Sequence, residues 1–210
     1  MICVIRGEPS AVPKRWVGMI PVRDERCLLP LAGRAVIEHV IERASPQVSS
    51  LILCHGGAPS PLGRLGLPVV APQSGGFFAA ILAGLDWTAA HSRETPWLAT
   101  FAADAPVFPR DLVERLGNAV GAQGADMAWA AAGGHPMPQF GLWPVRLRRD
   151  IRRVLVKQPG LGVEAWAARH QPAWADFAPE GEPFVSVNGP DDLSSAAACL
   201  LSGADGAIPR

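Results

Sequence analysis

The sequence lacks an excess of charge of either sign, and this absence limits its partners. Its 19 basic residues balance its 19 acidic residues over a length of 210, so the formal net charge is zero. Proteins that bind nucleic acids through the phosphates usually present a broad positive field. The balance of charge therefore argues against a nucleic-acid partner.

Long apolar runs are also lacking. The apolar stretch at residues 1–5 gives way to charged residues at positions 6, 8 and 14. Such a stretch is too short for the core of a signal peptide or for a membrane span. We therefore expect no membrane association and a cytoplasmic location.

Cysteine is scarce and scattered. The four cysteines, Cys3, Cys27, Cys54 and Cys199, form no Cys-x-x-Cys pair. Neither a zinc site nor a disulfide framework is indicated by this spacing. We interpret the four as small hydrophobic side chains in the interior.

The composition suits one compact domain. With 49% hydrophobic and 18% charged residues, a chain of this length is expected to form a single domain over residues 1–210, with a tail at 202–210 that frays. Short apolar runs alternate with amphipathic stretches, and no internal repeat interrupts them. This order predicts an α/β fold with a mainly parallel sheet and helices on its faces.

Periodicity locates the individual elements. Strands are predicted at residues 16–21, 50–53, 67–70, 97–102, 127–131, 140–142 and 184–187, with residues 1–5 as an alternative first strand. Helices are predicted at 35–44 and 78–90, from Pro109 onward, within the basic segment 146–157, and at 190–201.

Asp104 is the first candidate for chemistry. It follows the apolar run 97–103, so its carboxylate is expected at the carboxyl end of a strand, where open α/β sheets bind ligands. A carboxylate in that place suits Mg2+ that bridges nucleotide phosphates. An Asp that ends a strand in a turn before Pro106 is the other interpretation.

Several sequence blocks together resemble the molybdenum cofactor guanylyltransferases, often called MobA. The blocks are Cys27-Leu-Leu-Pro-Leu-Ala-Gly-Arg34, residues 37–43, Ile81-Leu-Ala-Gly-Leu-Asp-Trp87, Asp104-Ala-Pro106, His135-Pro136, residues 140–144 and residues 187–193. Seven ordered blocks spread over about residues 24–200 are more specific than one short motif. The resemblance implies a Rossmann-like three-layer sandwich with a mainly parallel mixed sheet, of the nucleotidyltransferase type. It also implies a nucleotidyltransferase that binds GTP with Mg2+, transfers GMP to the phosphate of molybdopterin and releases pyrophosphate.

The resemblance also implies roles for particular residues. Asp104 stands at the metal-binding Asp of the family's Asp-x-Pro. Arg26 either replaces the family lysine that holds the triphosphate or is an exposed surface arginine. Gly75 and Gly76 lie where the family has a phosphate-binding loop, although paired glycines are also ordinary in turns. The side-chain amide of Asn188 reaches either a nucleotide phosphate or the metal shell, or else it caps the last helix.

Three loops depart from the family pattern. Residues 22–26 contain no glycine, whereas the family has the glycine-rich Leu-Ala-Gly-Gly-x-Ser-x-Arg-Met-Gly-x-Asp-Lys. Pro72 stands at the approximate place of an Asp. Residues 54–57 replace an Asn-x-Asn-Gly stretch that touches the base, so His55 is either a substitute donor or a turn residue.

Two smaller departures follow. Met137 and Pro138 resemble an insertion after His135, and Ser186 replaces a family Asn. Together the departures leave other functions open: a non-catalytic relative that binds molybdopterin or another protein of molybdenum cofactor maturation, or an enzyme that uses CTP.

A basic helix is predicted from the spacing of Arg146, Arg149, Arg153 and Lys157. Most such charge runs are solvated faces. An acidic partner protein or the phosphate of molybdopterin is the alternative.

Overall fold

A seven-stranded mixed sheet forms the centre of the computed structural model, which describes residues 16–57, 61–92, 96–177 and 184–201. The strand order is β5-β4-β1-β6-β8-β7-β9. Strand β8 is antiparallel to both of its neighbours, and the other neighbouring pairs are parallel. The mainly parallel α/β architecture predicted from the sequence is therefore confirmed.

The elements have the following bounds. The strands are β1 (Trp16–Pro21), β2 (Pro30–Leu31), β3 (Arg34–Ala35), β4 (Ser50–Cys54), β5 (Val69–Val70), β6 (Trp97–Thr100), β7 (Ala128–Ala132), β8 (His135–Pro144) and β9 (Ala173–Asp176). The α-helices are α1 (Val36–Ala44), α2 (Phe77–His91), α3 (Leu112–Gln123), α4 (Arg148–Lys157), α5 (Val163–Ala167) and α6 (Pro190–Leu201).

Alternation along β1 divides the core into two layers. Val17 and Met19 pack in one cluster with residues of α2, α4 and α5. Ile20 packs in another cluster with residues of α1 and α3. Since successive side chains of a strand point to opposite faces, the sheet is covered by helices on both sides.

The predicted strand at 16–21 and the predicted helices at 35–44, 78–90 and 190–201 are confirmed to within a residue or two. The prediction for the helix after Pro109 was wrong in its start, because α3 begins at Leu112 with Asp111 as its N-cap. The carbonyl of Pro109 instead accepts a hydrogen bond from the Leu112 amide in a preceding turn.

The strand predicted at 184–187 was wrong. In its place lies one isolated antiparallel bridge between Val107 and Val185, and a single pair of residues does not make a ladder. Strand β9 was not predicted, since its small alternating residues carry a weak signal, and its conformation depends on pairing with β7. The alternative first strand at 1–5 lies outside the described residues, as does the tail at 202–210.

Strand β8 is longer than the predicted 140–142. Gly133 and Gly134 both have positive φ, 59° and 79°, and they join β7 to β8 in a two-residue hairpin turn. Glycine accepts this conformation without the steric cost of a Cβ. The hairpin extends β8 back to His135.

The cysteines within the described residues, Cys27, Cys54 and Cys199, are buried, as the sequence predicted. Cys3 lies outside the described residues. Among the described helices, none has the length and apolar character needed to cross a membrane.

Candidate functional site

The carboxyl ends of the central strands meet at one edge of the sheet. Strand β1 lies between β4 and β6 and is parallel to both. The chain segments that follow these three strands, at residues 22–29, 55–57 and 101–104, therefore lie beside one another. This is the edge at which open parallel sheets bind ligands.

Two adjoining clefts open at this edge. The first cleft has a volume of about 470 Å3, and its lining includes Arg26, Asp104 and Asn188. The second cleft has a volume of about 660 Å3, and its lining includes Gly75 and Gly76. The structure thus brings three of the predicted site residues together in one cleft and places the two glycines in the next.

Arg26 is held on a short 3-10 helix directly after β1. Asp24 caps this helix (Glu25–Leu28), because its carboxylate accepts from the Arg26 backbone amide at 3.1 Å. The same carboxylate accepts from Arg26 Nε at 2.9 Å and from Nη2 at 2.8 Å. The guanidinium is therefore bound in a bidentate manner, and its direction is fixed.

Asp104 completes a small charged cluster with this pair. Its Oδ2 lies 3.7 Å from Arg26 Nη2, and its side chain is 32% exposed. Arg26 thus lies between two carboxylates at the mouth of the first cleft. A guanidinium in this position attracts anions, whereas the exposed carboxylate oxygens of Asp104 attract a cation.

Electrostatics in the cluster favours the ionised forms. The hydrogen bond from the Arg26 side chain lowers the pKa of Asp24 below its ordinary value. Asp24 in turn raises the pKa of Arg26, and the charge of Asp104 adds a smaller effect in the same direction. Arg26 therefore stays positive throughout the physiological range.

Cys27 lines the same cleft but is not a nucleophile. Burial, and then the charges of Asp24 and Asp104, raise the pKa of its thiol to about 11. The Sγ atom donates to the Asp24 carbonyl oxygen at 3.5 Å. A protonated, buried thiol is poorly reactive, which agrees with the interpretation of the cysteines as interior side chains.

The second cleft is built around the N-terminus of α2. Gly76 is the N-cap residue and has φ of +97°, a conformation that favours glycine. A Cβ added at Gly75 or Gly76 would meet no atom within 4 Å. Both glycines are exposed and line the cleft, so their backbone can be approached closely by a ligand.

His55 stands across the second cleft from these glycines. Its Nδ1 lies 3.4 Å from the Val22 carbonyl oxygen. A Cβ at Gly57 would lie 2.4 Å from His55 Nε2, so the imidazole occupies the space that a larger residue would need. Pro72, at the place of the family Asp, lines the cleft as well.

Sequence reasoning missed the residues that join the two clefts. Pro21, Arg23 and Phe77 line both. Arg23 is exposed and forms no hydrogen bond or ion pair with a described residue, so its charge is available to a ligand that spans the clefts. The position of Arg23 directly after β1 was the available signal in the sequence. That position did not distinguish Arg23 from an ordinary surface arginine, because the segment around it is polar.

Two further lining residues of the first cleft, Gln139 and Ser186, were not selected as site residues either. Ser186 was visible only as a replacement of a family Asn. Gln139 was hidden because its position depends on an irregularity in β8.

The comparisons with known proteins agree with this geometry. The family model for a MobA-like NTP transferase domain matches residues 21–173. The chain is 42% identical over 170 residues to a molybdenum cofactor guanylyltransferase of Bradyrhizobium sp. (strain ORS 278), over 79% of this chain and 80% of the relative. It is 39% identical over 176 residues to a protein of the same name from Rhodopseudomonas palustris (strain BisB5), over 82% and 84% of the two chains.

A solved structure shows the same fold. Molybdopterin-guanine dinucleotide biosynthesis protein A from Archaeoglobus fulgidus superposes with a TM-score of 0.68 and 18% sequence identity. The superposition covers 89% of this chain and 99% of that protein.

Proposed function

Because this chain belongs to the MobA-like NTP transferase family, we propose that it is a nucleotidyltransferase that transfers GMP from GTP to the phosphate of molybdopterin. The observation that carries the proposal is the pairing of Arg26 and Asp104 in the first cleft, which adjoins the second cleft through Arg23. A transfer between two substrates needs such adjoining sites, since the reacting groups must be held side by side.

In the proposed complex the nucleotide spans both clefts. Its base and ribose lie in the second cleft, with phosphates near the amides of Gly75 and Gly76. The triphosphate then passes Arg23 toward Arg26 and Asp104, and Asn188 lies beside it. This arrangement assigns nucleotide binding to all the residues that the sequence predicted and adds Arg23.

The site fits a divalent cation that is held mainly by its substrate. Asp104 offers one carboxylate and Asn188 one amide oxygen, while the described residues contain no group of three or more His, Cys, Asp or Glu side chains able to enclose an ion. Mg2+ typically takes one or two carboxylates together with phosphate oxygens and waters. When bound, the ion would offset the charge on the transferred and leaving oxygens.

The proposed reaction is a substitution at the α-phosphorus of GTP. An oxygen of the molybdopterin phosphate forms the new P–O bond, and the bond from the α-phosphorus to the bridging oxygen breaks, so that pyrophosphate leaves with the electron pair. The chain's own part is to position the groups and to offset charge through Arg23 and Arg26.

A second candidate function is supported by the Asp24–Arg26 pair. The guanidinium is already bound by a carboxylate, and the described loop 22–26 has no glycine to wrap a phosphate. Both features favour a relative that keeps the fold and binds molybdopterin or a maturation protein without catalysing transfer. An enzyme that uses CTP is a further candidate, because the base-reading loop differs from the family pattern. The cytoplasmic location stays a prediction.

Calorimetric titration of GTP and of CTP, each with and without Mg2+, tests the proposal. We expect binding of GTP that depends on Mg2+ and is lost in Asp104→Ala. Asp86→Ala is the matched control, because Asp86 pairs with Arg152 and lines neither cleft. No binding at millimolar nucleotide would overturn the enzymatic proposal, and tighter binding of CTP would overturn the choice of base.

Release of pyrophosphate with molybdopterin as acceptor then separates catalysis from binding. Asp104→Ala is expected to slow this release by a factor on the order of a hundred or more, as the loss of several kcal/mol of charge stabilisation implies. Binding of GTP without any release in the parent protein would favour the non-catalytic candidate.

A further inference from the structure

The first cleft carries polar side chains besides those already assigned to the nucleotide. Gln139 and Ser186 are half-buried and line this cleft together with Val163. Neither Gln139 nor Ser186 forms a side-chain hydrogen bond with a described residue. Partly buried amides and hydroxyls are normally hydrogen-bonded, so unpartnered ones facing a cleft are suited to a ligand.

An irregularity in β8 places Gln139 in the cleft. Trp129 of β7 pairs with Gly141, yet its neighbour Ala130 pairs with Met137, so residues 138–140 lie opposite no residue of β7. Such bulges often redirect a side chain beside a functional site. The bulge coincides with the segment that resembles an insertion in the sequence.

Aromatic packing fixes this bulge. The ring of Phe140 is fully buried, and its centroid lies 5.5 Å from that of Phe108 and 4.7 Å from that of Phe184. Pro138 precedes Gln139 and has no amide hydrogen to leave unpaired outside the ladder. The backbone at Gln139 is therefore restrained between an anchored aromatic residue and a stiff proline.

The sizes of the clefts leave room for a second substrate. Pockets for one small ligand typically measure about 300–1,000 Å3. At about 470 and 660 Å3, each cleft alone lies within this range. In the proposed complex the base and ribose lie in the second cleft, so part of the first cleft is left for the acceptor.

We propose that Gln139, placed by the β8 bulge, and Ser186, which lines the same cleft, bind the acceptor substrate and determine which acceptor the site takes. This inference rests on the proposed function. The ring of a pterin presents an amide carbonyl and an amino group side by side, and a primary amide both donates to and accepts from such an edge. Gln139 is thus a specificity residue for the heterocycle, whereas the acceptor's phosphate points toward Arg26 and Asp104.

The experiment compares two glutamines, one in each cleft. Gln139 lines the first cleft, and Gln73 lines the second. Gln139→Ala is expected to raise the KM for molybdopterin roughly three- to tenfold, as the loss of one or two hydrogen bonds implies, without changing the Kd for GTP. Gln73→Ala is expected to leave the KM for molybdopterin at the parental value.

Gln158→Ala serves as a third, neutral variant. Gln158 follows α4, is exposed and lines neither cleft. Equilibrium binding of molybdopterin without nucleotide is measured for all three variants, so that the comparison does not depend on turnover. An unchanged Kd for GTP in Gln139→Ala shows that the variant is folded.

The possible results distinguish a failure of this inference from a failure of the proposed function. If the parent protein is active and Gln139→Ala keeps the parental KM and Kd for molybdopterin, the assignment of the acceptor side is overturned while the proposed function stands. The same follows if Gln139→Ala weakens GTP instead. If the parent binds neither GTP nor molybdopterin, the proposed function fails, and this inference fails with it.

Discussion

Polar groups differ in their hydrogen bonding between two regions of the molecule. One region is the interior beneath β6 and β8, and the other is the rim of the two clefts. In the interior, the hydroxyl of Thr100 is fully buried and accepts from Trp143 Nε1 at 3.0 Å and from the Gly141 amide at 3.1 Å. At the rim, Arg23 and Gln139 form no side-chain hydrogen bond with a described residue. We infer that hydrogen-bonded polar groups in the interior stabilise the fold. Polar side chains without such a bond lie in the clefts, where a ligand can reach them.

The contrast has one exception among the described residues. Trp129 Nε1 is buried and has no hydrogen-bond partner. Its ring nevertheless packs against the rings of Trp143 and Trp174, with centroids 5.6 and 5.5 Å away. Packing area therefore outweighs one unmade hydrogen bond at this position.

The largest effect is expected from removing an interior aromatic side chain. Trp143→Ala should destabilise the fold by about 3–5 kcal/mol, because a fully buried ring leaves a cavity and its neighbours collapse only partly. Trp174→Ala is the matched control, since Trp174 touches the same Trp129 ring but is 41% exposed. Urea denaturation measures the free energy of unfolding of both variants. Equal losses of stability would contradict the expected difference between interior and surface.

An intermediate effect is expected from removing one interior hydroxyl. Thr100→Val keeps the shape but leaves the Trp143 indole and the Gly141 amide without an acceptor, at a cost of about 1–3 kcal/mol. Ser186→Ala at the rim should change stability by less than about 0.5 kcal/mol. Thermal unfolding of both variants sharpens the comparison, and a larger loss in Ser186→Ala than in Thr100→Val would contradict it.

The smallest effect is expected from the exposed ion pair of the rim. The pKa of Asp24 lies below its ordinary value of 3.8 because Arg26 stabilises the carboxylate. A depressed folded-state pKa adds stability that is fully present above the unfolded value and is lost as the pH falls through the folded value. The stability difference between the parent and Asp24→Asn should therefore be constant near neutrality, should begin to decrease near pH 3.8 and should disappear only as the pH falls through the lower folded-state pKa.

A double-mutant cycle with Arg26→Gln isolates this pair. If the Arg26 side chain is the main cause, the pH-dependent loss on the further change Asp24→Asn should be clearly smaller in the Arg26→Gln protein, where only the backbone amide of residue 26 and the charge of Arg23 still stabilise the carboxylate. A pH dependence of the parental size in the Arg26→Gln background would place the cause elsewhere.

The sequence predicted most of the long elements and the place of Asp104. The apolar residues in segments 16–21 and 35–44 follow a clear pattern along the chain, because each element is buried on one face or on both. The predicted bounds of these two elements were confirmed. Strand β9 and the bulge in β8 were beyond such reasoning, because Ala173, Ala175 and Gln139 take their conformations from contacts with β7 and the aromatic residues around Phe140. The prediction of a strand at 184–187 was wrong because the apolar residues there are buried without a neighbouring strand to pair with.

By itself, the sequence determined the α/β class, the order of the main helices and strands and the family, since all three depend on local periodicity and on ordered blocks of residues. Only the tertiary structure decided that Arg26 lies 3.7 Å from Asp104, that Arg23 stands between two clefts and that Gln139 faces the first of them. These positions depend on which strands lie side by side and on where their pairing breaks, and contacts between residues far apart in the chain leave no periodic signal along it.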